Sequence, residues 1–172
     1  MKDLLIVVDM QNDFVSGSLG TEEAKKIVSN VVDVIKNFDG DIYFTRDTHE
    51  EDYLETQEGK NLPVKHCIKG TEGWEIIDDL KGFVKDNVID KVTFGSKELV
   101  EKLDKINQTE GIKSVILVGL CTDICVISNA LMLKGFMPEV PIKVIANACA
   151  GVTPESHERA LESMKTCQVS VE

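Results

Sequence analysis

The sequence predicts a three-layer, doubly wound α/β sandwich: a mostly parallel β-sheet with helices on both faces. Three observations carry that prediction. Short runs of Leu, Ile and Val recur along the chain, amphipathic helical stretches separate them, and no repeat, low-complexity tract or linker interrupts the alternation. A strand buried on both faces reads as an unbroken apolar run, and strand–helix alternation favours parallel crossovers. At 172 residues the chain fits one domain, residues 1–172, with enough core to need no staples.

The elements follow in order. Leu4–Val8 is a solid aliphatic run and the first strand. Glu22–Phe38 reads as an amphipathic helix, with Ile27, Val31, Val34, Ile35 and Phe38 on one stripe. Ile42–Thr45 is a second strand and Val88–Val92 a third, weaker one, followed by a helix from about Ser96 to Asn107. Ser114–Val118 is a fourth buried strand that runs into GLCTD and a helix ending at Gly135. Ile142–Ala146 is a fifth, and Val169–Val171 a short last one. Thr153 caps the helix between them, with Pro154 at its first position where the missing N–H does no harm. Asp47–Asp86 breaks the rhythm with about forty residues and one expected short helix, Glu72–Leu80. A connection that long in a compact domain is usually functional.

Composition narrows the partners. Thirty acidic against nineteen basic side chains give a formal charge of −11, so neither nucleic acid nor an anionic membrane is an expected partner. Only five apolar residues stand together before Asp9, too few for a signal-peptide core or a membrane span. The five cysteines, 67, 121, 125, 149 and 167, are odd in number and include no C-x-x-C pair. Free thiols and a cytoplasmic location are therefore expected.

In open α/β sheets the ligand sits beyond the carboxyl ends of the strands. The residues just past those ends are Asp9, Arg46–His49, Lys91 and Gly119–Cys125, so a carboxylate, a cation and a thiol converge on one edge. With Thr122 as N-cap, Cys125 becomes the third helical residue, where free amides and the helix dipole lower a thiol pKa. The same turn offers N–H groups to an oxyanion. The plain alternative is a small buried hydrophobe, and position alone leaves the two level. Asp9 closes an apolar strand, and partial desolvation suits it to accept a thiol proton, though strand-end aspartates also serve turns. Lys91 lies within the apolar segment VIDKVTF, so it either meets an anionic partner or snorkels from an edge strand.

The long connection carries Asp47-x-His49, Glu58 and His66, holding two of the three histidines. Oxygen and imidazole donors suit a divalent transition ion such as Zn, Mn or Fe better than Ca. A polar loop with ordinary surface histidines is the competing reading. His157, on the helix after Thr153, suits core or capping duty.

DMQNDF (Asp9–Phe14), TRDTH (Thr45–His49), the lysine of DKVTFGS and GLCTDICV (Gly119–Val126) resemble the isochorismatase-like cysteine hydrolases, in the same order and at comparable spacing. HCIKGTEGW and TPESHERAL resemble further segments of that family, so the resemblance spans nearly the whole chain. It implies a six-stranded parallel sheet and a triad of Asp9, Lys91 and Cys125. It also implies a cis peptide before Cys121 that turns the Cys121 and Cys125 N–H groups into an oxyanion hole. In the nicotinamidase branch, Asp-x-His and a later His hold a divalent metal that ligates the pyridine nitrogen of the substrate. Asp47, His49 and His66 match those ligands, Glu58 matches a fourth used by some members, and Phe14 matches an aromatic of the substrate pocket. Nicotinamidases commonly place a Trp before Pro-x-His to stack on the ring; here the segment reads LPVKHC, with Leu62 in that place. True isochorismatases lack the cysteine nucleophile, so Cys125 argues against vinyl-ether chemistry.

The expected function is hydrolysis of a small-molecule amide through a Cys125 thioester, nicotinamide to nicotinate first among candidates, with a transition-metal cofactor. A metal-free amidase or carbamoyl hydrolase of the same family is the alternative. More remote are a thiol redox protein using Cys121 and Cys125 and a non-catalytic binding protein. Members of the family often form dimers or tetramers, which leaves a homo-oligomer open.

Overall fold

The computed structural model describes all 172 residues. Six strands form one sheet: β1 Lys2–Val8, β2 Asp41–Asp47, β3 Val88–Lys91, β4 Ile112–Leu120, β5 Ile142–Ala150 and β6 Ser170–Val171. Their spatial order is β3-β2-β1-β4-β5-β6, and every neighbouring pair is parallel. The helices are α1 Asn12–Val15, α2 Glu22–Asn37, α3 Gln57–Asn61, α4 Asp78–Lys81, α5 Lys97–Thr109, α6 Ile127–Phe136 and α7 Pro154–Thr166.

The unbroken apolar run of β1 is explained by its central place. Leu4, Ile6 and Val8 feed a core shared with α5, α6 and α7, while Leu5 and Val7 feed the opposite core under α2 and α4. All five are fully buried, and burying each such side chain contributes about 1.5–3 kcal/mol. α2 presents Ala24, Ile27, Val31 and Ile35 to the second core. Thr21 starts it by accepting the Ala24 N–H, and Thr153 with Ser156 builds a full capping box ahead of α7. No helix is long and apolar enough to cross a membrane.

The strand order reverses direction between β1 and β4, the switch point at which such sheets open a crevice. Register brings the strand ends level there: Val8 lies opposite Thr45 on one side and Gly119 on the other, and Asp47 lies opposite Lys91. Gly119 has φ +116, and a Cβ there would run into the Val8 carbonyl. Only glycine permits that approach.

Two local expectations change. The segment Glu72–Leu80 is not one helix: a 3₁₀ turn at Glu72–Trp74 is followed by extended backbone and then by α4. Its amides pair elsewhere, because Ile76 bridges Gln11 while Asn12 N–H and Ile77 N–H bond the Glu75 and Met10 carbonyls. Thr122 is not an N-cap either. The turn after β4 is a single π-helical turn, Thr122–Val126, with Cys121 at the cap position. The Thr122 hydroxyl instead meets His157 Nδ1 at 2.8 Å, which gives that histidine a bridging task between α7 and the turn.

Candidate active site

β1 delivers Asp9, β3 delivers Lys91, and the turn after β4 delivers Cys125. All three side chains are buried, with Asp9 at 0%, Lys91 at 4% and Cys125 at 5% exposure. Asp9 adopts a left-handed backbone, φ 46, which aspartate tolerates better than most residues. Its N–H bonds the Thr45 carbonyl at 3.2 Å and its Oδ1 accepts the Thr45 hydroxyl at 2.7 Å. That leaves Oδ2 for Lys91 Nζ, 2.6 Å away. The ammonium is also 3.4 Å from Cys125 Sγ, 3.2 Å from Asp47 Oδ1 and 3.1 Å from the Thr93 carbonyl.

The charges are mutually dependent. Burial alone would drive Lys91 down, but Asp9, Cys125 and Asp47 outweigh it and hold its ammonium well above the ordinary lysine range. Burial raises the Asp9 carboxyl, with Lys91 pulling against it. Burial, reinforced by the charge of Asp9, pushes the Cys125 thiol well up, with Lys91 opposing. The expectation of a thiol acidified by its helix terminus is therefore corrected: burial and the facing Asp9 raise the thiol, and Lys91 only opposes them. Desolvation and a facing carboxylate exceed what one short turn's dipole supplies.

Cys121 stands beside this group, and the peptide before it, Leu120–Cys121, is cis as the resemblance implied. No backbone carbonyl accepts the Cys121 N–H. Its thiol is pushed up to about 12, first by burial and then by Asp123 and Asp9. Two thiols this reluctant to ionise fit poorly with a peroxidatic and resolving pair.

The second cluster adjoins the first through Asp47, whose Oδ1 is the one 3.2 Å from Lys91 Nζ. Asp47, His49, Glu58 and His66 bring four ligand atoms within 4.8 Å of one another. His49 Nε2 is 3.0 Å and His66 Nε2 3.5 Å from Asp47 Oδ2, and both face Glu58 Oε1, at 3.6 and 3.8 Å. Burial would raise Asp47, but the two histidines facing it and the charge of Lys91 hold it well below the usual carboxylate range. Glu58 is raised by burial and then by Asp47. His66 Nδ1 lies 2.8 Å from the Val64 carbonyl, which can only accept, so Nδ1 carries a proton and Nε2 is the nitrogen turned to the cluster. His49 Nε2 is buried without a hydrogen-bond partner, since Asp47 Oδ2 is near but poorly aligned. An orphaned imidazole nitrogen among two carboxylates and a second imidazole fits a divalent transition ion, with mixed N/O donors and room for a further ligand.

Between the clusters lies a cavity of about 230 Å³ whose walls include Phe14, Leu62, Phe94 and Ile124, with Cys125, Asp47 and His66 at its base. That is below the roughly 300 Å³ at which drug-sized ligand pockets begin, so one small ring or a short chain fills it. Phe14 thus occupies the wall where it was expected, and Leu62 stands where a stacking tryptophan was absent from the sequence.

The structure brings together Asp9, Lys91, Cys121, Cys125, Phe14, Asp47, His49, Glu58 and His66, and adds others, while Arg46 turns away to pair with Asp90. Gln11 clamps the backbone of Asp47, accepting its N–H at 2.7 Å and donating to its carbonyl at 2.8 Å. Tyr53 is fully buried with its ring 4.6 Å from that of His49 and 4.9 Å from that of His66, and its hydroxyl donates to the Leu62 carbonyl. Asn129 bonds the Cys125 and Phe94 carbonyls and accepts the Ser96 N–H. A polar residue four positions after the cysteine in an apolar helix was the signal available for Asn129. Gln11 was visible inside its motif, but Tyr53 carried no signal.

A model of the isochorismatase domain matches residues 3–172. Nicotinamidase 3 of Arabidopsis thaliana is 31% identical over 170 residues, covering 93% of this chain and 79% of that protein. Among solved structures, the pyrazinamidase of Pyrococcus horikoshii in complex with zinc superposes with a TM-score of 0.84 at 31% identity, covering 100% of this chain and 99% of that one. Nicotinamidase from Bacillus subtilis gives a TM-score of 0.81, also at 31% identity, covering 99% and 100%.

Proposed function

The chain belongs to the isochorismatase family, and we propose that it is a cysteine-dependent amidohydrolase, one domain over residues 1–172, that converts nicotinamide to nicotinate and ammonia. The observation that carries this reading is the placement of Lys91 Nζ, 2.6 Å from Asp9 and 3.4 Å from Cys125, where Cys125 lines a small apolar cavity that Asp47, Glu58 and His66 of the four-donor cluster also line. The amidases among its relatives, one of them solved with zinc, support the same chemistry. Free thiols throughout suit a cytoplasmic enzyme.

At rest Asp9 and Lys91 are charged and the thiol is neutral. With an amide in the cavity, the Cys125 proton passes to Asp9, whose proton affinity burial has raised. Lys91 then faces the thiolate instead of the carboxylate. The net charge of the three groups is unchanged, so no new charge is desolvated. The sulfur attacks the amide carbonyl, and the Cys121 and Cys125 N–H groups receive the oxyanion. Asp9 returns the proton to the departing nitrogen and ammonia leaves a thioester. Asp9, again a carboxylate, takes a proton from a water that attacks the thioester, releasing the acid and restoring the thiol. A divalent ion held by Asp47, His49, Glu58 and His66 would supply a coordination position for the ring nitrogen of the substrate. Phe14 and Leu62 enclose that ring from the cavity walls.

Ammonia release across a panel of primary amides and carbamoyl compounds, with and without added Zn, Mn or Fe, tests the proposal. Turnover of nicotinamide that requires the metal supports it. Preference for a carbamoyl compound with no response to metal would replace it with the metal-free amidase of the same family.

A further inference from the structure

Asp9 and Phe14 of the DMQNDF segment have tasks in the proposed cycle, but Asp13 has none. Its carboxylate nevertheless sits where three loops meet. Oδ2 accepts the Cys67 N–H at 2.8 Å and Oδ1 the Ser18 N–H at 3.4 Å. Gly17 and Gly73 close around it, and a Cβ on either would collide with the carboxylate. Ser18 adds a second tie to the same segment, its hydroxyl donating to the Lys65 carbonyl at 3.2 Å.

Cys67 follows His66 directly, and its backbone is held on both sides. Asp13 takes its N–H, while its carbonyl accepts the N–H of His49 at 2.9 Å. The backbone at Cys67 is left-handed, φ 47, a conformation a cysteine adopts only when its surroundings impose it. The two histidine ligands therefore meet through one residue, Cys67: Asp13 holds the peptide between His66 and Cys67, and the carbonyl of the next peptide receives the His49 N–H. Their rings are 4.8 Å apart and nearly perpendicular, with Nε2 of each directed at Asp47 and Glu58.

We propose that Asp13 is a positioning residue for the metal cluster: by holding the Cys67 peptide it sets the separation and aim of His49 and His66, and hence the affinity for a divalent transition ion. This rests on the metal-binding part of the function proposed above and not on the identity of the substrate. Groups that orient metal ligands typically change affinity by about 10–100-fold when removed.

The test measures Zn²⁺ affinity by competition with a chromophoric chelator, and the visible spectrum of the Co²⁺-loaded protein. Asp13→Ala is expected to weaken Zn²⁺ binding by about tenfold or more and to alter the Co²⁺ bands. Asp13→Asn, which keeps an acceptor for Cys67, should recover most of the affinity. Asn12→Ala removes only the neighbouring tie to the Glu72 carbonyl and should leave both readings unchanged. Should Asp13→Ala fail to fold, Asp13→Ser decides, since its shorter hydroxyl falls short of the Cys67 N–H, with an expected loss of about tenfold. Wild-type affinity and spectrum in Asp13→Ala or, failing that, in Asp13→Ser would overturn the inference, as would a native protein that binds neither ion. A native protein that binds zinc but releases no ammonia from nicotinamide would sink the substrate reading and leave this inference standing.

Discussion

Replacing Lys91 by Met keeps most of the stem and removes the charge, and the structure sets the size of the consequence. At an effective dielectric of about 20, the attraction between a unit cation and a thiolate 3.4 Å away is near 5 kcal/mol. Losing most of it should raise the thiol pKa further and slow kcat/KM by about a thousandfold. The fold should survive with a penalty. Asp9 and Asp47 lose their shared cation, and an uncompensated buried pair member typically costs about 3–5 kcal/mol. Protonation of Asp9, already raised by burial, limits the loss to about 3 kcal/mol, or about 6–12 °C in melting temperature. The pH dependence has a definite sign. A carboxyl whose folded pKa lies above its unfolded value binds more protons when folded, so stability falls as pH rises through that window. The variant pushes Asp9 further in that direction, and its melting deficit should widen from pH 5 to pH 8. The chemical assay is alkylation by iodoacetamide, read peptide by peptide by mass spectrometry between pH 6 and pH 9. Cys125 should react more slowly than in the native protein while the exposed Cys167 serves as an unchanged control. Equal rates at Cys125 in both proteins would refute the contact between Lys91 and the thiol.

Three further outcomes are expected. Cys125→Ala should abolish ammonia release with a melting temperature near native, and Cys125→Ser should be almost as inactive because Asp9 is too weak a base for a hydroxyl; more than about a hundredth of native activity in either would misplace the covalent step. Purification without chelator should yield about one divalent transition ion per chain by elemental analysis, and chelation or His49→Ala should depress hydrolysis of a pyridine carboxamide with only a modest fall in melting temperature; absence of metal, with no response to added metal, would defeat the metal reading. Asn129→Leu removes three hydrogen bonds, two of them buried, and strands the Ser96 N–H, so unfolding by urea should show a loss of about 2–4 kcal/mol, and a loss under about 0.5 kcal/mol would mean the turn is held by other contacts.

How much was legible in the sequence depended on the range of the physics involved. β1 announced itself because a central strand is apolar on both faces, and Thr153-Pro154 announced α7 because caps are local. Asp9, Lys91 and Cys125 could be gathered on one edge because strand ends share an edge in any parallel sheet. Glu72–Leu80 failed because its spacing suits a helix while its backbone partners, Gln11, Met10 and Asn12, lie about sixty residues away. The thiol acidity failed for a related reason. A local dipole argument missed the burial and the facing carboxylate that a distant strand supplies.

Asp47 shows what the sequence could not separate. Read alone, Asp-x-His is a metal motif, and Lys91 belongs to the triad. The register of β2 against β3 sets Asp47 directly opposite Lys91, so one carboxylate serves both. Oδ1 is 3.2 Å from the ammonium, while Oδ2 faces the two histidines. Gln11 fixes the backbone of that residue by two hydrogen bonds, which leaves its side chain little freedom to favour one role over the other. Substituting Asp47 therefore cannot dissect metal binding from thiol activation. Of the two charged groups, His49 and His66 meet only the metal cluster and Asp9 pairs only with Lys91 of the triad, so variants of those three residues separate the two contributions.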